Sequence, residues 1–194
     1  SWTVTDIHGN SSTDTQDITI TDDEAPSLTV AADQTQTADA GNCTAVVVVV
    51  GPATGDNCAV ATVVNDYNGT SDASDTYDVG TTTVSWTVTD IHGNSSTDTQ
   101  DITITDDENP SLTVAADQTQ TADAGNCTAA VSVAGPATAD NCAVAEVVND
   151  YNGTSDASDT YDVGTTTITW TVTDIHGNSS TDTQDITITD DEAP

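Results

Sequence analysis

The chain has 194 residues and carries 33 Asp and Glu, three His and no Lys or Arg, a formal net charge of −33. Nothing on it can neutralise phosphate, which excludes nucleic acid as a partner and direct contact with an anionic membrane surface. With no Phe, no Met and 4% aromatic residues, only small cores are expected, helped by disulfides or metals, and the self-repulsion calls for bound or condensed cations.

An internal repeat organises the sequence. Residues 27–110 and 111–194 align without a gap at a period of 84 and differ at eight positions, while 1–26 repeats 85–110 except for Ala25 in place of Asn109. We expect 1–26 to be the last two strands of a truncated module, and 27–110 and 111–194 to be complete modules. The chain is then expected to be a window on a longer array, with Ser1 not a natural N-terminus.

Taken in chain order, the first full copy shows short Val/Thr-rich runs broken by Gly, Asn and Asp clusters. Strands are predicted over 28–31, 34–38, 44–50, 59–65, 82–89 and 99–105, with 51–57 a loop and 66–75 a polar stretch of weak strand character. No stretch sustains a helical period. The fold class expected is all-β, tandem immunoglobulin-like β-sandwich modules, one to each repeat period. Along 82–89, Val84, Trp86 and Val88 share one face and are assigned to the core, with the Trp86 indole N–H expected to meet a backbone carbonyl. Ile102 and Ile104 alternate in the same way, and Tyr77 is expected to close one end of the core.

The run 44–50 is apolar on both faces in this copy. In the next copy positions 130, 132 and 134 are Ala, Ser and Ala, whereas Val131 and Val133 remain. Change at every second position predicts Ala45, Val47 and Val49 inward, and Val46, Val48 and Val50 outward as a lateral or cross-module contact patch.

Several ordered motifs carry a family resemblance. They are Gly41-Asn42-Cys43, Asp56-Asn57-Cys58, Tyr77-Asp78-Val79-Gly80-Thr81-Thr82, Thr89-Asp90-Ile91-His92-Gly93-Asn94 and the closing Asp106-Asp107-Glu108-Asn109-Pro110. The sequence resembles the hyalin repeat (HYR) family, of the kind found as bacterial tandem arrays, over the whole period of both complete copies. The resemblance implies immunoglobulin-like extracellular modules associated with adhesion. Two cysteines common in that family are missing here, where 27–30 reads Ser-Leu-Thr-Val and 97–101 reads Thr-Asp-Thr-Gln-Asp. By that comparison the remaining Cys43 and Cys58 form a pair, as do Cys127 and Cys142.

The cysteines themselves, an even number at a repeated spacing of 15, fit disulfides in an oxidising compartment and no zinc pattern. A Cys43–Cys58 bridge meets a geometric objection, since a straight strand of seven residues spans over about 20 Å, far beyond bridging reach. The staggered bridge, Cys43 to Cys142 of the next copy, stays open beside it, with slight preference for the bridge inside one copy.

The metal candidates lie where one copy meets the next. Asp22, Asp23 and Glu24 are expected beside Asp56, Asn57, Asp90 and Asn94. Asp106, Asp107 and Glu108 are expected beside Asp140, Asn141, Asp174 and Asn178. Carboxylates and amide carbonyls from several loops suit calcium, which takes six to eight oxygens, while Pro26 and Pro110 stiffen the linker. The acidic run 66–75 lacks the twelfth-position Glu of a calcium loop and is assigned as an exposed polar turn. His8, His92 and His176 occupy one repeated loop position, and no catalytic residue is assigned because no acid–base pair converges.

The function expected is therefore non-enzymatic. The chain is taken as the structural repeat region of an extracellular fibre or surface stalk, rigidified by calcium at the junctions and by disulfides, with neighbouring copies of itself as partners. The alternative is an adhesin that binds a glycan or protein ligand through its loops. Asn10, Asn42 and Asn68 sit in N-x-S/T sequons.

Overall fold

The computed structural model describes residues 1–193, and among them all regular structure is β-strand. No helix there is long and apolar enough to cross a membrane. The reason for the strands lies in composition: β-branched Thr, Val and Ile alternating with polar residues fit a pleated surface with one buried face.

The chain falls into two compact units. One comprises Ser1–Ala32, Val50–Ala73 and Val84–Gln100, and the other Asp33–Val49, Ser74–Thr83 and Asp101–Pro194. The second contains the whole sequence copy that starts at Ser111. Its strands are β11 (Ser111–Thr113), β12 (Gln118–Thr121), β13 (Thr128–Val131), β14 (Ala137–Ala139), β15 (Val144–Asn149), β16 (Asp159–Asp162), β17 (Gly164–Asp174) and β18 (Ser179–Thr189).

A four-stranded sheet runs β12-β18-β17-β15, and β11–β14 and β13–β16 form two further pairs. β12 is parallel to β18, whereas β17 is antiparallel to both β15 and β18. Between the layers lie Ala129, Val131 and Val133 from one side, Ile168, Trp170, Ile186 and Ile188 from the other, and Ala157 and Tyr161. This is a β-sandwich of immunoglobulin-like kind. Gln184, fully buried on β18, ties the sheet to the entering chain by donating its Nε2–H to the Ala116 carbonyl at 2.9 Å.

The first full copy repeats the pattern. Its strands are β3 (Ser27–Thr29), β4 (Gln34–Thr37), β5 (Thr44–Val47), β6 (Ala53–Gly55), β7 (Val60–Asn65), β8 (Asp75–Asp78), β9 (Gly80–Asp90) and β10 (Ser95–Thr105). The sheet order is again β4-β10-β9-β7. The register of β5 on β8 sets Ala45 opposite Tyr77, as β13 on β16 sets Ala129 opposite Tyr161. Before them, β1 (Trp2–Thr5) and β2 (Ser11–Asp14) form an antiparallel hairpin. Glycine is required at Gly80 and Gly164, where φ is +124° and +127° at the first residue of a long strand. That is the physical content of the V-G-T-T motif.

The alternation read from the sequence holds. Val84, Trp86, Val88, Ile102 and Ile104 are buried, as are Ala45, Val47 and Val49, while Val46, Val48 and Val50 are exposed at 64%, 77% and 62%. Three expectations need correction. The loop 51–57 contains β6, which pairs with β3 through Leu28 opposite Thr54, a pairing too short for periodicity to reveal. Tyr77 lies inside the core on β8 and does not merely cap one end. Among the described residues, the indole N–H groups of Trp86 and Trp170 meet no acceptor, each ring being fully buried among core side chains.

Candidate metal centres

Two loops build each candidate centre, and both are set by Asp side chains folding back on their own backbone. In the turn Asp56-Asn57-Cys58-Ala59, Asp56 Oδ2 accepts the amide N–H groups of Cys58 and Ala59, each at 2.9 Å. In the turn after β9, Asp90 Oδ1 accepts from the amides of His92 and Asn94 at 2.8 and 2.9 Å. Gly93 supplies the positive φ of +94° that closes this turn. Such Asx-turns are the expected use of Asp beside Asn and Gly. The consequence is chemical: Asp56 keeps Oδ1 free of its own turn, while Asp90 gives Oδ1 to backbone amides and Oδ2 to the Asn94 side chain.

The linker after residue 20 adds a third carboxylate. Oxygens of Asp22, Asp56 and Asp90 lie within 4.8 Å of one another. The arrangement is held by Asn57, whose Nδ2–H donates to Asp22 Oδ1 at 3.2 Å, and by Asn94, which donates to Asp90 Oδ2 at 2.7 Å and to the Asp22 carbonyl at 3.3 Å. His92 Nδ1 stands 3.1 Å from Asp22 Oδ2.

The same constellation recurs with Asp106, Asp140 and Asp174. Asn141 donates to Asp106 Oδ1 at 3.1 Å and to the Asn42 carbonyl at 3.0 Å, Asn178 donates to Asp174 Oδ2, and His176 Nδ1 is 3.0 Å from Asp106 Oδ2. The Asp106 side chain is wholly enclosed, and Asp90 and Asp174 are each only 2% exposed. Among the described residues, Asp56 Oδ1, Asp140 Oδ1 and Asn141 Oδ1 are buried without a hydrogen-bond partner. Buried oxygens of that kind are costly unless a donor or cation meets them.

Hydrogen bonding decides the protonation of these groups. The amide of Asn57 holds the Asp22 carboxyl below the ordinary carboxylate range, against the opposing push of burial. At Asp106, Asp90 and Asp174 burial pushes upward most strongly, and the amides of Asn141, Asn94 and Asn178 together with backbone N–H groups outweigh it, leaving each lowered. All four therefore stay ionised at neutral pH. Three negative charges in one small volume, on a chain with no Lys or Arg, present the all-oxygen donor set that a hard divalent cation prefers.

Not every residue assigned from sequence joins the cluster. Asp23, Glu24 and Asp107 are exposed on the linkers and outside it. Glu108 does something different. Its Oε2 accepts the Gly41 amide at 2.8 Å, pinning the G-N-C turn, as Glu192 does for Gly125 at 3.0 Å. No local signal marked this role, because the residues are 67 apart in sequence.

The cysteine preference is overturned. Cys43 is bonded to Cys142, with Cα atoms 4.6 Å apart, while Cys58 and Cys127 are free and exposed. The physical reason is the one that counted against Cys43–Cys58, namely that β5 carries the chain away from Cys43 before it turns back. Cys58 lies against Asp22, whose carboxylate accepts from the thiol and pushes its pKa up. The stretch 66–75 is a built turn in which Asn65, 2% exposed, donates to Asn68 Oδ1 and the Thr70 carbonyl.

Solved structures that this chain matches include protocadherin gammaB7 EC3-6 in a cis-dimer, at 14% identity, TM-score 0.40, covering 86% of this chain and 51% of that one. Drosophila N-cadherin EC1-4 matches at 13% identity and TM-score 0.40 over 85% of this chain and 49% of that one. Mouse cadherin-23 EC22-24 matches at 11% identity and TM-score 0.37 over 86% and 67%. The chain thus spans about half the length of the first two. No curated protein matches the sequence. Residues 105–188 match the family model of the HYR domain.

Proposed function

We propose that this chain is a structural repeat region of an extracellular fibre or surface stalk, that it is not an enzyme, and that calcium bound by the paired carboxylate centres stiffens it. The repeats 27–110 and 111–194 are its modules, with 1–26 the closing strands of another. One observation carries the reading: the same three-carboxylate constellation, with buried unpartnered oxygens, occurs twice, one repeat period apart, on a chain with no cationic residue other than three His.

Calcium would take its ligands from Asp22, Asp56, Asn57 and Asp90 in one centre, and from Asp106, Asp140, Asn141 and Asp174 in the other. Asn94 and Asn178 would orient the carboxylates. Each centre draws on a linker and on two loops of the repeat that follows it, so an ion there ties the linker to the repeat. The disulfide Cys43–Cys142 acts in the same sense, and it supports an oxidising, extracellular setting. The exposed stripe Val46, Val48 and Val50 is the surface for lateral association with further copies.

The test is thermal unfolding and small-angle X-ray scattering of the chain with calcium and with chelator. Calcium is expected to raise the melting temperature and to lengthen and stiffen the particle. If both measurements are indifferent to calcium, the centres are solvated acidic turns and the chain is a flexible spacer, which favours the adhesin alternative with a glycan or protein ligand held by the loops.

A further inference from the structure

The disulfide and the second carboxylate centre share one turn. Asp140 Oδ2 accepts the amides of Cys142 and Ala143, each at 2.9 Å. Asn141, between them, donates from Nδ2 to Asp106 Oδ1 at 3.1 Å, to the Asn42 carbonyl at 3.0 Å and to Cys142 Sγ at 3.7 Å. The sulfur is thereby held against the linker carboxylate. Cys142 Sγ, an Asp106 oxygen and a ring nitrogen of His176 all lie within 4.8 Å of one another. The Asp106 side chain is wholly enclosed and that of His176 is 28% exposed, so an ion passing the imidazole reaches an enclosed carboxylate.

This donor set differs in kind from the one already described. Asp106 with Asp140 and Asp174 offers oxygen alone, which suits a hard cation. Asp106 with Cys142 and His176 offers one oxygen, one imidazole nitrogen and one sulfur, a mixture that suits zinc. Ligand atoms at about 2.0–2.3 Å from a tetrahedral zinc stand about 3–4 Å from one another. That spacing falls inside the 4.8 Å that bounds the three atoms here. One condition separates the two sets. Sulfur ligates as a thiolate, and bonded to Cys43 it carries no such charge.

We propose that Asp106, Cys142 and His176 form a zinc site that is created when Cys43–Cys142 is reduced and abolished when that bond forms. Water completes the tetrahedron. The three ligands come from the linker, the 140–142 turn and the turn after β17, so zinc ties these segments together while the bond is open. Because Asp106 belongs to both donor sets, zinc and calcium exclude one another there, and the disulfide selects between them. That last consequence rests on the calcium reading; the zinc site does not.

A small thiol such as glutathione opens the bond. Its thiolate attacks the Cys43 sulfur and expels the Cys142 thiolate, and a second glutathione thiolate attacks the mixed disulfide and expels Cys43. One protein disulfide is reduced and two glutathiones are oxidised to one glutathione disulfide. Of the two protons they release, Cys43 takes one, and the other stays in solvent while zinc holds the Cys142 thiolate.

The experiment compares two forms of the 194-residue chain. Cys58→Ser with Cys127→Ser keeps the bond, and adding Cys43→Ser leaves Cys142 as the sole thiol, with no reductant needed. Each form is titrated in calcium-free buffer with cobalt(II), a spectroscopic stand-in for zinc, which zinc then displaces. The thiol form is expected to show a thiolate-to-cobalt charge-transfer band, tetrahedral d–d bands and one ion per chain, and the bonded form none of these. Cys142→Ser or His176→Ala in the thiol form should weaken zinc binding by about 100-fold or more, beyond the loss of a residue that merely orients a ligand. If circular dichroism shows the thiol form unfolded, zinc should fold it, since the binding energy is then folding energy. A thiol form without the charge-transfer band, one whose affinity is unchanged by His176→Ala, or one that stays unfolded in zinc overturns the proposal. Calcium added to the bonded form tests the other reading alone, and indifference there leaves the zinc site standing.

Discussion

Asp140→Asn tests the metal reading by a change of sign. Asp140 Oδ2 accepts two backbone amides at 2.9 Å, a role that an Asn carbonyl can keep, while Oδ1 is buried without a partner beside Asp106 and Asp174. In chelator, the substitution removes one of three like charges. At the 4.8 Å limit of their separation and an effective dielectric near 20, each repulsive pair amounts to about 3 kcal/mol before salt screening. Weaker hydrogen bonds from the two amides to a neutral acceptor take back about 1 kcal/mol. Asp140 takes part in two such pairs, and with salt screening reducing them to about half or less the net expectation is a variant more stable by about 1–3 kcal/mol, a rise of several degrees in melting temperature.

In millimolar calcium the order should invert, since the native chain gains the binding free energy of the ion and the variant loses a charged ligand. Differential scanning calorimetry of both proteins, with chelator and with calcium, reads this crossing. A variant less stable than the native chain in chelator would refute the charge argument. An equal rise with calcium in both proteins would place the ion elsewhere.

Cys142→Ser removes a bond between residues 99 apart, for which the chain-entropy model gives up to about 4–5 kcal/mol. A clear fall in melting temperature is expected, against none for Cys58→Ser, and equal curves would mean that the bond contributes nothing. Burial pushes the pKa of Tyr161 up from 10 to about 12. A folded-state pKa above the unfolded one makes a contribution that is complete below pH 10 and lost as pH rises towards 12, about 2–3 kcal/mol in all. Denaturant unfolding at pH 9 and at pH 11.5, alongside tyrosinate absorbance, should show that decline, and a flat profile would contradict it. Replacing Val46, Val48 and Val50 with Ser should leave the melting curve within about 1 kcal/mol, because the three are solvent-facing. Any lateral association seen in sedimentation should weaken, and unchanged association would remove the stripe from the interface.

Much of the fold was legible because it depends on period-two alternation, which the sequence displays without interruption. Three of the eight differences between copies even distinguished the two faces of the 44–50 run, since Val46, Val48 and Val50 vary where Ala45, Val47 and Val49 do not. What could not be read were pairings made at long range by short segments. β6 has three residues, too few to show a period, and is a strand only because Leu28 meets Thr54. Glu108 looked like one more linker carboxylate until the Gly41 amide came to it from 67 residues away.

The candidate centres fall between these cases, and the reason is physical. Their turns were visible as D-N-C and D-x-H-G-N motifs, because an Asp that caps its own turn is a local signal. The same local act exposes the chemistry. An Asx-turn spends one carboxylate oxygen on backbone amides and leaves the other to a side chain or a ligand, so two such turns side by side, with Asp106 from the linker, leave carboxylate oxygens converging on one small volume. Proximity between copies is needed to complete the centre, and buried Pro26 and Pro110, just after the triplets 22–24 and 106–108, stiffen the chain where it makes that approach. The disulfide obeys the same logic. Cys43 and Cys142 have no relation inside one copy of the repeat, yet they meet where the G-N-C turn of one copy lies against the D-N-C turn of the next, and Asn141 donates to the Asn42 carbonyl beside them. The spacing that matters is therefore 99, the 84 of the repeat added to the 15 between the two turns. A tandem array places its binding and bonding residues in the sum of those two lengths, and a reading confined to one period overlooks that sum.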